Sequence, residues 1–266
     1  MKIGLFLACS FVFGAVIGSF LNVCIYRIPA GISIVRPASR CPECFTPIRW
    51  YHNIPIISWL FLKGHCAYCD ASVSMRYPLV EALTGALFAI FLYRFAFHPV
   101  TLVFWLLSAL LVVISFIDLD HQIIPDVISL PGIPVGFLCS FAVPWVSWQS
   151  SLLGIFAGGG ALLVIALGYE FLTKREGMGL GDVKLLAMLC AFLGARAIFP
   201  IIFVGSVLGT LVGVPLMLIK KGDRKLAIPF GPFLAVGALV YGFFVQFWDP
   251  LMRWYGRAML EIWSSF

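Results

Sequence analysis

Eight apolar runs divide the chain, at about 3–26, 79–97, 100–117, 127–146, 151–172, 183–195, 197–219 and 227–248. A helix needs about 20 apolar residues to cross roughly 30 Å of hydrocarbon, and most of these runs reach that length. The run at 183–195 is the exception, because about 13 residues give only about 20 Å of helix; it is expected to be short or re-entrant. The first run, from Ile3, follows a lone Lys2 and has no small-residue cleavage site behind it, so it reads as a retained helix rather than a signal peptide. The pattern predicts an all-α integral membrane protein with about eight transmembrane helices.

Composition agrees: of 266 residues 62% are hydrophobic and only 11% charged, and the mean hydropathy of +1.03 lies outside the range of soluble domains. The formal charge of +6 resolves into clusters between the runs. Arg27, Arg36, Arg40, Arg49, Lys63 and Arg76 lie in the first connection, Lys174, Arg175 and Lys184 near the sixth run, and Lys220, Lys221, Arg224 and Lys225 before the eighth. With eight spans all three clusters share one face, so 13 of 18 basic residues are expected on the cytoplasmic side, against anionic lipid. No motif supports a nucleic-acid reading. The expected organisation is a first transmembrane helix at 1–27, a cytoplasmic loop at 28–78, a transmembrane core at 79–248 and a tail at 249–266. Gly14/Gly18 and Gly205/Gly209/Gly213 recur every four residues and suit close helix packing.

The loop carries Cys41-x-x-Cys44, 21 intervening residues, then Cys66-x-x-Cys69. Two such knuckles supply four thiolates for one tetrahedral Zn²⁺, and a set with no open position is structural rather than catalytic. Disulfides are the competing reading, which a reducing cytoplasmic compartment disfavours. Arg40, Arg49, Lys63 and Arg76 lie close enough in sequence to offset the cluster's charge. Cys9, Cys24, Cys139 and Cys190 fall in apolar runs and read as core residues, and His52 and His65 as surface imidazoles.

Acidic residues collect at the ends of two runs. Asp118, Asp120 and Asp126 stand in "DLDHQIIPD", and Asp182 follows Gly177, Gly179 and Gly181 in "KREGMGLGDVKLL". Counting spans puts both stretches at the cytoplasmic end of the bundle. Two carboxylates sharing a proton are the machinery of aspartic proteolysis, one activating water and the other polarising the carbonyl. Gly179 and Gly181 are expected to permit a sharp turn and close approach of an extended peptide. Asp120 and Asp126 also read as solvated loop acids, Asp126 capping the following helix; Glu81 and Glu170 read either as supporting partners or as snorkelling acids. Asp120, Asp126, Glu170 and Glu176 would draw in a basic peptide.

"GSFLNVCIYRIP" at 18–29, the four-cysteine loop followed by "SMRYPLVE" at 74–81, "DLDHQIIPD" at 118–126 and "KREGMGLGDVKLLAM" at 174–188 together resemble the type IV prepilin leader peptidases, which also N-methylate the mature pilin. The resemblance implies Asp118 and Asp182 as the catalytic pair, where spacing alone does not separate Asp118 from Asp120. It implies cleavage of a basic leader after Gly in prepilins or type II secretion pseudopilins, at the cytoplasmic face of the bacterial inner membrane. It also implies methylation of the new N-terminal residue with S-adenosylmethionine, for which no G-x-G-x-x-G unit is present. Two other classes stand beside it. One is a proton-coupled transporter, which expects acids deep within helices; the other is a zinc-bearing membrane scaffold without chemistry of its own.

Overall fold

The computed structural model describes residues 2–173, 179–219 and 229–248. Each apolar run holds one helix: α1 (Lys2–Arg27), α3 (Arg76–Phe95), α4 (Pro99–His121), α5 (Asp126–Ser140), α6 (Trp148–Thr173), α7 (Leu180–Leu193), α8 (Ile198–Ile219) and α9 (Gly231–Phe243), with the short α2 (Ile57–Phe61) in the first connection. Five of the described helices are long and apolar enough to cross a bilayer, those of α1, α3, α4, α6 and α8, while α5 and α9 are shorter apolar helices. The run expected to reach residue 146 stops being helical at Ser140. The basic residues Lys174, Arg175, Lys220, Lys221, Arg224 and Lys225, together with Glu176, Gly177 and the tail at 249–266, lie outside the described residues.

The helices form two compact units, Met1–His121 and Gln122–Phe266. In the first, α1 lies against α3 with almost no side chain between them. A Cβ at Gly14 would stand 2.8 Å from the Cα of Gly85, and one at Gly18 would stand 2.7 Å from the Cα of Glu81. Lipid tails are as apolar as leucine, so such helices associate by close dispersion contact, which the missing side chains allow. The Asn22 amide donates to the Tyr77 carbonyl at 3.1 Å, and Trp105 Nε1–H donates to the Phe88 carbonyl at 2.9 Å, tying α4 to α3. Backbone faces the added atom at Gly18, so Gly18→Ala is expected to lower stability by about 1–3 kcal/mol. Gly160→Ala, with open space around it, is expected to be neutral; thermal unfolding of both in one detergent compares them.

In the second unit the short α7 is central. Leu185 to Leu193 are all buried, as expected of a helix that is apolar all round and enclosed by protein. Gly132 and Gly136 of α5 press against Met188 and Phe192, and Gly154 and Gly158 of α6 against the Gly194 and Cys190 backbone and side chain. The Ser151 hydroxyl donates to the Ala191 carbonyl at 2.6 Å. Gly194 ends α7 at φ 79, a conformation open to glycine, with its N–H on the Cys190 carbonyl at 2.8 Å. Along α8 the glycine spacing is used unevenly: a Cβ at Gly205 would meet the Phe233 carbonyl at 3.3 Å, but one at Gly209 only makes ordinary contact.

Candidate active site and metal centre

The four cysteines converge. One sulfur from each of Cys41, Cys44, Cys66 and Cys69 lies within 4.8 Å of the others, all four are free thiols, and Cys41 Sγ stands 3.8 Å from Cys69 Sγ. A tetrahedron with Zn–S bonds of about 2.3 Å has sulfurs about 3.8 Å apart, so the donor set fits the ion. The two knuckles are built alike. The first cysteine's N–H donates to Thr46 in one and to Ala71 in the other, its carbonyl accepts from Phe45 or Asp70, and a single bridge pairs Arg40 with Pro47 or His65 with Ser72. Phe45 and Asp70 hold equivalent positions at φ 56 and φ 59. Asp tolerates that region; Phe adopts it at a cost of about 1–2 kcal/mol, evidence that the cluster dictates the backbone.

Protonation follows the same geometry. The Thr46 hydroxyl and backbone N–H hold the Cys44 thiol down at about 6, and the N–H groups of Tyr68 and Cys69 lower that of Cys66. Cys69 is pushed up to about 12: the Ala71 N–H favours its thiolate, but desolvation and the neighbouring Cys44, Cys66 and Cys41 sulfurs outweigh it. Four sulfurs this close cannot all ionise without a cation among them.

The basic residues expected to offset this charge are engaged elsewhere in two cases. Arg49 donates to the Tyr51 hydroxyl at 2.6 Å, and Arg76 pairs with Asp120. His65 is exposed, as expected, whereas His52 is half-buried, its ring edge-on to Tyr51 and Tyr68. Among the remaining cysteines Cys24 and Cys190 are buried and Cys139 partly so, but Cys9 is exposed on the outer face of α1.

Asp118 belongs to the first unit and Asp182 to the second. Asp118 sits in the last turn of α4 and is only 5% exposed, despite carrying an acid. Arg76, at the start of α3, straps that turn on either side of it: the guanidinium bonds Asp120, donates to the Phe116 carbonyl at 3.2 Å and lies 5.0 Å over the Phe116 ring. Asp182 occupies the first turn of α7, half-buried, its N–H on the Gly179 carbonyl at 3.2 Å. Negative charge is favoured at a helix N-terminus.

Three expectations change here. Gly179 has φ −72 and ψ 145, open to any residue, and caps α7 without a sharp turn. Gly181 is small because a Cβ there would stand 3.0 Å from that of Ile124. Asp126 is the first residue of α5, with Pro125 as the cap, and both its carboxylate oxygens accept from Lys184 Nζ, at 2.7 and 2.8 Å. Asp120 and Asp126 are thus each paired with a cation at an exposed site, and Glu170 is exposed near the end of α6.

Residues 12–95 match the bacterial peptidase A24 N-terminal domain, and residues 105–214 match the type IV leader peptidase family. A prepilin leader peptidase/N-methyltransferase of Neisseria gonorrhoeae is 38% identical, over 91% of this chain and 92% of its own. The chain belongs to the type IV leader peptidase family. Within that family, a relative of the same name from Aeromonas hydrophila is 36% identical over 94% of both chains, and one from Myxococcus xanthus is 42% identical over 82% of this chain and 65% of its own. No solved structure matches the chain. In this member the peptidase match at 105–214 contains both Asp118 and Asp182, whereas the cysteine cluster and Glu81 fall in the separate match at 12–95.

Proposed function

We propose that this chain is a membrane aspartic endopeptidase that removes the basic leader of prepilins or pseudopilins after Gly and then N-methylates the new N-terminus. Identity of 38% across nine-tenths of a relative bearing both activities in its name carries the reading. The acids add chemical support: both occupy terminal helical turns, where water and an unwound peptide are accessible, rather than the mid-helix depth that a proton-relay transporter expects. The proposed setting is the bacterial inner membrane, with α5, α7 and α9 completing an eight-span core and the cysteine loop facing the cytoplasm.

In this reading Asp182, at its helix N-terminus, is the ionised member and Asp118, at a helix C-terminus, holds the shared proton. The Asp182 carboxylate takes a proton from water as the oxygen bonds to the scissile carbonyl carbon, while Asp118 protonates the carbonyl oxygen. As the tetrahedral intermediate collapses, the C–N bond breaks, the amine leaves with the proton held by Asp182, and Asp118 recovers its own. Cys41, Cys44, Cys66 and Cys69 hold a structural zinc ion. S-adenosylmethionine supplies the methyl group for the second activity.

Incubating membranes that contain the chain with a full-length prepilin tests the reading. A shift to the mature mobility supports it, and no shift with a substrate that a known relative cleaves overturns it. Arg76 bears on the same step, since it fixes the turn that carries Asp118. Arg76→Ala is expected to lower kcat by about tenfold with KM nearly held, as misplacement of a catalytic group does; steady-state cleavage assays separate the two constants.

A further inference from the structure

The peptidase-family match at 105–214 contains both aspartates of the proposed dyad, and the first unit, matched separately at 12–95, carries a cleft that the cleavage chemistry does not use. The first unit contains a cleft of about 500 Å³ beside the Arg27 end of α1, a volume suited to a cofactor-sized ligand. Ser19, Arg27, Ser39, Trp50 and Asn53 supply its polar and aromatic wall, with Pro55 beside them. Trp50 is 81% exposed, an indole face available for stacking. The Arg27 guanidinium donates to the carbonyls of Ser33 and Pro37 at 2.9 and 2.8 Å, using two of its five N–H donors to set the far wall.

The near wall is held under strain. Ile56, next after Pro55, has φ 61 and ψ −49, and Ile57 N–H donates to the Pro55 carbonyl, closing a γ-turn of the positive-φ kind. A β-branched residue rarely adopts that conformation. Its N–H is gripped by the Glu81 carboxylate at 2.7 Å, a side chain only 7% exposed. Ser19, itself part of the cleft, hydrogen-bonds the same carboxylate. The Ser58 hydroxyl accepts from Ile54 N–H at 3.0 Å and donates to the Tyr51 carbonyl at 2.9 Å. Strain of this kind persists where the surroundings over-determine it, and it gathers at ligand clamps and active sites.

We propose that this cleft holds the sulfonium methyl donor, S-adenosylmethionine, and that Glu81 is the positioning residue that keeps its wall in place. This rests on the N-methyltransferase half of the proposed function. Three parts of the donor have a counterpart: the purine on the Trp50 face, the ribose hydroxyls on Asn53 and Ser39, and the carboxylate on the Arg27 guanidinium. The remaining wall is the apolar Val16, Phe20 and Val23 face of α1, along which the apolar N-terminal helix of a cleaved pilin brings its amine. The amine nitrogen gives its lone pair to the methyl carbon as the carbon–sulfur bond breaks. Sulfur keeps the bonding pair and becomes a neutral thioether, and the resulting secondary ammonium releases a proton to water.

Equilibrium dialysis of radiolabelled S-adenosylmethionine against the purified full-length protein tests the site. Trp50→Ala and Asn53→Ala are each expected to weaken donor binding by about tenfold or more, with zinc content unchanged. Unaltered donor affinity in both variants overturns the assignment. Glu81→Ala is expected to weaken binding similarly, while Glu81→Gln restores most of it, because the amide oxygen still accepts the Ile56 N–H. Equal loss in the two Glu81 variants overturns the positioning role. Wild-type protein that cleaves prepilin yet binds no donor overturns the methyltransferase reading, and this proposal with it. Loss of cleavage with donor binding intact, as expected of Asp182→Asn, leaves the cleft assignment supported.

Discussion

Asp118→Asn and Asp182→Asn are each expected to reduce leader cleavage by about a thousandfold or more, to the limit of detection in a gel-shift assay. Asparagine keeps the shape of aspartate but can neither take a proton from water nor return one, and general acid–base steps are worth about 10²–10⁴-fold each. Two groups acting as one unit fail together, so the double variant is expected to be no slower than either single one. Asp120→Asn separates pairing from chemistry. Its carboxylate meets Arg76 at a site 37% exposed, and exposed ion pairs contribute about 0–1 kcal/mol, so most activity is expected to remain. Zinc content and membrane insertion, measured on the same preparations, establish that each variant is folded. A folded Asp182→Asn protein that cleaves prepilin at the wild-type rate would remove the dyad and leave Asp182 as the acid of an N-terminal helical turn.

Serine at any one of Cys41, Cys44, Cys66 or Cys69 is expected to abolish zinc retention, while Cys139→Ser keeps about one Zn²⁺ per chain. The loop around these cysteines has two isolated bridges, a short 3-10 turn at Trp50–Asn53 and the five-residue α2, too little apolar burial to order the segment unaided. Structural zinc contributes about 10–16 kcal/mol to folding in small peptide sites, which here replaces the missing core. Removing the metal with a chelator is therefore expected to make the loop protease-sensitive while α3 and α4 remain protected. Donor binding should fall with it, since Trp50 and Asn53 stand between the knuckles, and leader cleavage should fall less. Metal analysis of wild-type protein in reducing buffer checks the premise, and a content near zero would defeat it.

Elements governed by short-range chemistry were legible in the residues alone. Apolar runs become helices wherever they occur, because an unsatisfied backbone is prohibitive in lipid, and every run did. Cys-x-x-Cys brings two sulfurs to one turn by local geometry, so two copies announce a four-sulfur cluster before any fold is known. A signal for Glu81 was also present, an acid inside an apolar run, but its partner is a backbone N–H 25 residues away, and backbone groups look alike in a sequence.

Tertiary structure decided the rest. Asp120 and Asp126 read as loop acids until helix packing brought Arg76 and Lys184 to them from 44 and 58 positions away. The shortness of α7 became intelligible once its residues Leu185 to Leu193 proved to be enclosed by other helices, and the small size of Gly181 once Ile124 lay against it. The amino-acid sequence by itself determined which segments are helical, which cysteines pair within a knuckle and which acids stand at helix ends, because those follow from contacts within a few residues. Which charges are neutralised, which glycines are needed for contact and which wall of a cleft is held under strain depend on groups brought together from distant positions, and only the packing of whole helices settles that.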